Sequence, residues 1–82
     1  MKLRDVRAFN TPSVRAVLEF LCRAPRDEVY TLRELANRVG FSEHTLDSYG
    51  EQMEGHRYRV GSAYFYGHRT AIVRLRGKLE NQ

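Results

Sequence analysis

The chain has 82 residues, of which 14 are basic and ten acidic, and 41% are hydrophobic. This length suits one small domain with a modest core, and the hydrophobic content is that of a folded chain. The sequence contains no apolar run of membrane-spanning length and no signal-peptide core, and its one cysteine, Cys22, cannot form an internal disulfide. These features predict an intracellular, cytoplasmic protein, and the net charge of +4 mildly favours a polyanionic partner.

The first third of the chain predicts a basic arm and one helix. Residues 1–10 hold three basic side chains without a clear period, which suits an N-terminal arm or a short edge strand, and residues 11–82 then form a single domain. Thr11 can cap a helix whose first residue is Pro12, where proline loses no hydrogen bond. Apolar residues recur at helical spacing as far as Leu21, so the helix should end near Ala24. Cys22, on this helix, is expected to be a small buried residue.

Two capping patterns predict the next two helices. Thr31 and Glu34 form a capping box for a second helix that ends near residue 38. Ser42 can cap a third helix that ends near residue 49 or, across a weak point at Gly50, near residue 53. Gly40 separates the two helices.

A change of period after residue 56 predicts a β-hairpin. Two short runs, residues 57–60 and 63–66, flank Gly61 and Ser62, which suit a two-residue turn. A very short strand at residues 29–30 could precede the second helix. We expect the hairpin to have an apolar face on the core and a cationic aromatic face in solvent. The first face would carry Tyr58, Val60, Ala63 and Phe65, and the second Arg57, Arg59, Tyr64 and Tyr66.

The last fifteen residues are compatible with two structures. Ile72, Leu75 and Leu79 suit a helix packed back on the domain, whereas Ala71, Val73 and Leu75 alternate as in a strand. A helix from about residue 69 to residue 79 is preferred, because Tyr66-Gly67 is a natural strand end. The resulting prediction is an α+β fold that is mostly α: three helices, a small hairpin and a C-terminal helix.

The second and third helices resemble the helix-turn-helix motif. Ala36 is small where the helices would cross, and Gly40 lies in the turn. Other positions hold residue types common in that motif, namely Ser42, Thr45, Leu46 and Tyr49. Three helices followed by a hairpin, over about residues 11–67, are similar to the winged helix-turn-helix fold, whose wing is the hairpin. The resemblance implies a small sequence-specific DNA-binding protein, which is expected to act as a transcriptional regulator and to be associated with the nucleoid.

The resemblance also implies which residues would contact DNA. The third helix of such a module enters the major groove, so base contacts are expected from Ser42, Glu43, His44, Asp47 and Ser48. Contacts to the DNA backbone are expected from Arg33, Arg38, Arg57, Arg59, Tyr64 and Tyr66. Arg4 and Arg7 of the arm could add to them. A homodimer, formed through the first helix or the C-terminal segment, would double the contacts.

Charge on the third helix leaves another interpretation open. Residues 42–54 contain four carboxylates and no lysine or arginine, and phosphates would be repelled by them. The alternative is therefore a winged-helix module that docks a protein partner through an acidic third helix. RNA is a weaker third candidate, suggested by Tyr64 and Tyr66 as stacking platforms. No catalytic or metal-binding pattern accompanies the three histidines, and neither an enzymatic activity nor a cofactor is expected.

Overall fold

The computed structural model describes residues 12–81, which form four α-helices, a single 3-10 helix and a three-stranded antiparallel sheet. In chain order the elements are α1 (Pro12–Arg23), β1 (Tyr30–Thr31), α2 (Leu32–Val39), α3 (Glu43–Ser48), the 3-10 helix (Gly50–Met53), β2 (Arg57–Val60), β3 (Ala63–Tyr66) and α4 (Arg69–Glu80). The predicted fold class is confirmed. The predicted arm, residues 1–10, and the predicted cap Thr11 lie outside the described residues.

Both ends of α2 follow from local sequence. The backbone N–H of Thr31 donates to Glu34 Oε1 at 3.0 Å, and the N–H of Glu34 donates to Thr31 Oγ1 at 3.2 Å, which completes the capping box. Gly40 ends the helix with a φ of 77°, a left-handed conformation that favours glycine, and its N–H donates to the carbonyl of Ala36 at 2.9 Å. Ala36 is buried, as expected for a small residue where α2 meets α3.

The sheet joins β1 to the hairpin in the order β1-β3-β2. The hairpin has the predicted register, with Val60 opposite Ala63, and Gly61 in the turn has a φ of 64°. On its other edge β3 pairs with β1, which places Tyr30 opposite Tyr66. The predicted short strand therefore exists, one residue later than expected, and it ties the hairpin to the start of α2.

The core lies between α1, the helical pair and one face of this sheet. Five elements contribute at least one side chain that is almost fully buried: Val17 and Leu21 from α1, Leu35 from α2, Leu46 from α3, Met53 from the 3-10 helix and Tyr66 from β3. Because the core draws on every one of these elements, the position of α3 is coupled to the hairpin through shared packing.

The C-terminal segment is the preferred helix, not a strand. The backbone N–H of Thr70 donates to Nδ1 of His68 at 3.0 Å, so His68 caps the first turn of α4. Ala71 and Ile72 are buried, and α4 packs beside β2. The helical spacing of Ile72, Leu75 and Leu79 was thus the correct signal, because burial on one side of α4 follows a helical period.

Candidate nucleic-acid interface

The surface of α3 presents most of the residues predicted to contact bases. Leu46 is fully buried and anchors the six-residue helix, which is too short to be stable alone. All five predicted base-contacting residues are exposed: Ser42, Glu43, His44, Asp47 and Ser48. The predicted third helix ends at Ser48, and the chain continues through Tyr49 into the 3-10 helix.

The two serines of this set are engaged within the helix. Ser42 Oγ accepts from the backbone N–H of Thr45 at 3.1 Å and donates to Thr45 Oγ1 at 2.8 Å. Ser48 Oγ donates to the backbone carbonyl of Thr45 at 2.5 Å. In contrast, Glu43, His44 and Asp47 make no side-chain hydrogen bond with another described residue, so they are the groups on α3 most available to a partner. Thr45 is a member of this network that the sequence analysis missed, although the Ser-x-x-Thr spacing signals it.

The prediction of an exposed cationic aromatic face on the hairpin is wrong. Tyr66 is only 1% exposed and Tyr64 is half-buried against the core. Arg57 is also half-buried, with its guanidinium carbon 4.3 Å from the centroid of the Tyr64 ring. Tyr30 pairs with Tyr66 across the sheet, and both rings belong to the core together with Tyr64, whereas Ala63 on the opposite face is exposed. The tyrosine face therefore lies inward.

The pKa of the Tyr66 hydroxyl is affected by its burial and by two neighbouring charges. Burial raises the pKa of the Tyr66 hydroxyl, while the nearby Arg57 guanidinium lowers it and the Asp47 carboxylate raises it. Arg57 also covers Gly50, since a Cβ placed there would lie 2.6 Å from a guanidinium nitrogen. Arg57 therefore acts as a packing residue between the hairpin and the 3-10 helix, and neither Tyr66 nor most of Tyr64 is available to stack on a base.

Three of the predicted backbone-contacting arginines remain on the surface. Arg59 is exposed near the hairpin turn, where its Nε donates to the carbonyl of Gly61 at 2.9 Å. The two terminal guanidinium nitrogens take no part in this hydrogen bond. Arg33 and Arg38 are exposed on α2, and the Arg38 guanidinium carbon lies 5.9 Å from the centroid of the Tyr30 ring. The three exposed arginines therefore lie on two different elements, α2 and the hairpin.

A cleft of about 350 Å³ separates α3 from the hairpin. Its walls include Arg33 of α2, Glu43 and Asp47 of α3, and Ser62 and Tyr64 of the hairpin. One cation, Arg33, thus shares the cleft with two carboxylates, those of Glu43 and Asp47. Ser62 was predicted only as a turn residue. Ser62 lies in the cleft because the hairpin folds back toward α3. This long-range arrangement cannot be predicted from the residues around Ser62.

Acidic side chains continue beyond the cleft. Glu43, Asp47, Glu51 and Glu54 are all exposed. This confirms that the third helix and the segment after it present an acidic surface. Any phosphate brought to this surface would be repelled, and the exposed arginines Arg33, Arg38 and Arg59 would have to offset that repulsion.

A buried histidine supports the hairpin from behind. His56 is 3% exposed, and its Nδ1 lies 3.0 Å from the carbonyl oxygen of Gly67, so that nitrogen carries the proton and donates. Its Nε2 lies 3.9 Å from Cys22 Sγ. Burial lowers the pKa of His56, against the raising effect of the Gly67 hydrogen bond. Cys22 itself is exposed, which corrects the expectation that it is buried.

Comparisons with known proteins give no homologue from which to argue. No protein-family model matches the sequence, and searches of curated proteins and of solved structures found no significant match. Among residues 12–81, no group of three or more His, Cys, Asp or Glu side chains could hold a metal ion, and no helix is both long and apolar enough to span a bilayer.

Proposed function

We propose that this chain is a winged helix-turn-helix module that binds double-stranded DNA site-specifically inside the cell, as a transcriptional regulator or a related factor. The observation that carries the proposal is the paired helices α2 and α3, which meet at a left-handed Gly40, leave the outer side of α3 exposed and have a hairpin beside them. A short helix supported in this way can enter a major groove.

The free side chains of α3 suggest what would be read. The carboxylates of Glu43 and Asp47 are hydrogen-bond acceptors. In the major groove, carboxylates accept hydrogen bonds from the N4 amino group of cytosine. His44 can donate or accept a hydrogen bond. The proposed readout is therefore centred on cytosine, with Ser42 and Ser48 holding the helix in shape.

Phosphate contacts would come from Arg33, Arg38 and Arg59. When the logarithm of the binding constant is plotted against the logarithm of the salt concentration, three such contacts correspond to a slope of about −3. Repulsion by the carboxylates of α3 would make this slope shallower. Arg57, Tyr64 and Tyr66 are removed from the proposed contact set because they pack inward. A homodimer through α1 or α4 would double the slope.

Fluorescence anisotropy with random duplex DNA over a salt series tests the proposal. Arg33→Ala and Arg59→Ala should each weaken binding and reduce the magnitude of the slope by about 1. Arg76→Ala is the matched control, because Arg76 is an exposed arginine on α4 whose Nε lies 3.1 Å from Glu80 Oε1. Absence of binding at low salt, or an equal effect of all three substitutions, would refute DNA binding through α3 and the hairpin.

The acidic surface supports a second candidate function. A winged-helix module could instead dock a basic protein partner through Glu43, Asp47, Glu51 and Glu54, all of which are exposed. The two functions make opposite predictions for Glu43→Gln with Asp47→Gln. This double substitution should raise nonspecific affinity for DNA by removing repulsion, whereas it should weaken binding of a basic partner by removing two of the four carboxylates.

A further inference from the structure

A groove on the basic side of the molecule suggests a separate binding site. It lies between α4 and the connection from α1 to β1, and encloses about 420 Å³. Its floor is apolar and consists of Val29, Ala71 and Leu75. Above this floor three exposed cations form the rim: Arg26, Arg74 and Lys78. We refer to these six residues as the basic groove.

The rim cations are not neutralised within the described part of the chain. No carboxylate of residues 12–81 lies within ion-pair distance of Arg26, Arg74 or Lys78, whereas Arg76, on the same helix, is paired with Glu80. Arg74 Nη1 donates to the backbone carbonyl of Arg26 at 3.3 Å, which fixes the guanidinium over the groove without cancelling its charge. Asp27 also lines the groove, so the rim carries three cations and a single carboxylate.

We propose that the basic groove binds an acidic amphipathic helix of a partner protein. Arg74 and Lys78 are four residues apart and therefore lie one turn apart on α4. A partner helix with carboxylates at the same spacing could pair with both, while an apolar side chain between them covers Leu75. Charge complementarity selects an acidic partner, and the apolar floor requires that it also carry an apolar side chain.

Other occupants fit these features less well. The N-terminal segment of this chain holds Lys2, Arg4 and Arg7 against one acidic residue, so its charge has the same sign as the rim. The acidic stretch of a second copy offers carboxylates, but its Leu46 and Met53 are fully buried and cannot fill the floor. A nucleic-acid backbone has no side chain to cover Val29, Ala71 and Leu75. The site is independent of DNA binding through α3.

Titration of the ¹⁵N-labelled full chain with a synthetic helical peptide of about 14 residues, carrying glutamates four apart with leucines between them, tests the proposal. Amide shifts should concentrate around Val29, Ala71 and Leu75. Replacing the peptide's glutamates by glutamine should weaken binding by about fivefold, and replacing its leucines by serine should also weaken it.

Variants of the protein test whether Arg74 and Lys78 are the cations that bind the peptide's glutamates. Arg74→Gln with Lys78→Gln should reproduce the loss seen with the glutamine peptide, while Arg76→Gln, on the same helix, should bind as the wild type does. A dispersed amide spectrum of each variant confirms that it is folded. The proposal is overturned by an absence of shifts up to about 1 mM peptide, by shifts that map elsewhere, or by equal binding of the glutamate and glutamine peptides. Displacement of the peptide by duplex DNA, with DNA shifts in the same groove, would assign the groove to nucleic acid instead.

Discussion

Replacement of Arg57 by alanine should destabilise the fold, although the residue looks like a surface cation in the sequence. The guanidinium lies 4.3 Å from the centroid of the half-buried Tyr64 ring, a contact worth about 1 kcal/mol. It also lies near the buried Tyr66 hydroxyl, where the loss of a charged neighbour costs about another 1 kcal/mol. Arg57→Ala should therefore lower the free energy of unfolding by about 2 kcal/mol, and the melting temperature by about 10 °C.

Urea denaturation followed by circular dichroism measures this change, with two matched variants. Arg57→Lys keeps the charge but loses the planar stack on Tyr64, so its loss should be intermediate. Arg59→Ala removes a guanidinium two residues further along β2, nearer the turn. It should lower the free energy of unfolding by less than about 0.5 kcal/mol, because Arg59 is exposed. Wild-type stability of Arg57→Ala, or an equal loss for Arg59→Ala, would refute the inward orientation of the tyrosine face.

Three further predictions concern groups that hold the candidate interface in place. Stability should fall as the pH drops below about 6.5, because burial lowers the pKa of His56 and the unfolded chain therefore takes up a proton there more readily than the fold does. In urea denaturation between about pH 7.5 and 5.5, His56→Gln should weaken this dependence. Gly67→Ala should lower the melting temperature, since its Cβ would lie 3.0 Å from a backbone carbonyl oxygen. Gly77→Ala, with nothing within 4 Å, should not lower it. Leu46→Ala should cost about 3 kcal/mol in denaturant unfolding, because this fully buried side chain anchors α3.

Local chemistry explains why most of the fold could be predicted from the sequence. The capping box of Thr31 and Glu34, the left-handed turn at Gly40 and the hairpin turn at Gly61 each depend on a few neighbouring residues. The hairpin register followed from the turn. The C-terminal helix was harder, because Leu75 fits both a helical and an alternating pattern, and only packing beside β2 decides between them.

The inward face of the hairpin could not be predicted in the same way. Both faces carry aromatic residues, so alternation alone does not say which one is buried. The choice depends on β1, which pairs Tyr30 with Tyr66 across more than thirty residues of chain and brings both rings into the core. The same kind of long-range contact places Cys22 beside His56. Three of the predicted contact residues, Arg57, Tyr64 and Tyr66, are therefore buried or half-buried, although the sequence predicted them to face solvent.

The separation of charge limits how the protein could approach a polyanion. Residues 42–54 carry four carboxylates and no lysine or arginine, whereas α4 carries four cations and one carboxylate. Long-range attraction would therefore bring α4 toward DNA first, and only short-range contacts from Arg33, Arg38 and Arg59 could turn α3 toward it. Specific binding through α3 should consequently combine a shallow salt slope with sequence preference. A steep slope that disappears in Arg74→Gln with Lys78→Gln would instead mean that DNA binds nonspecifically at α4.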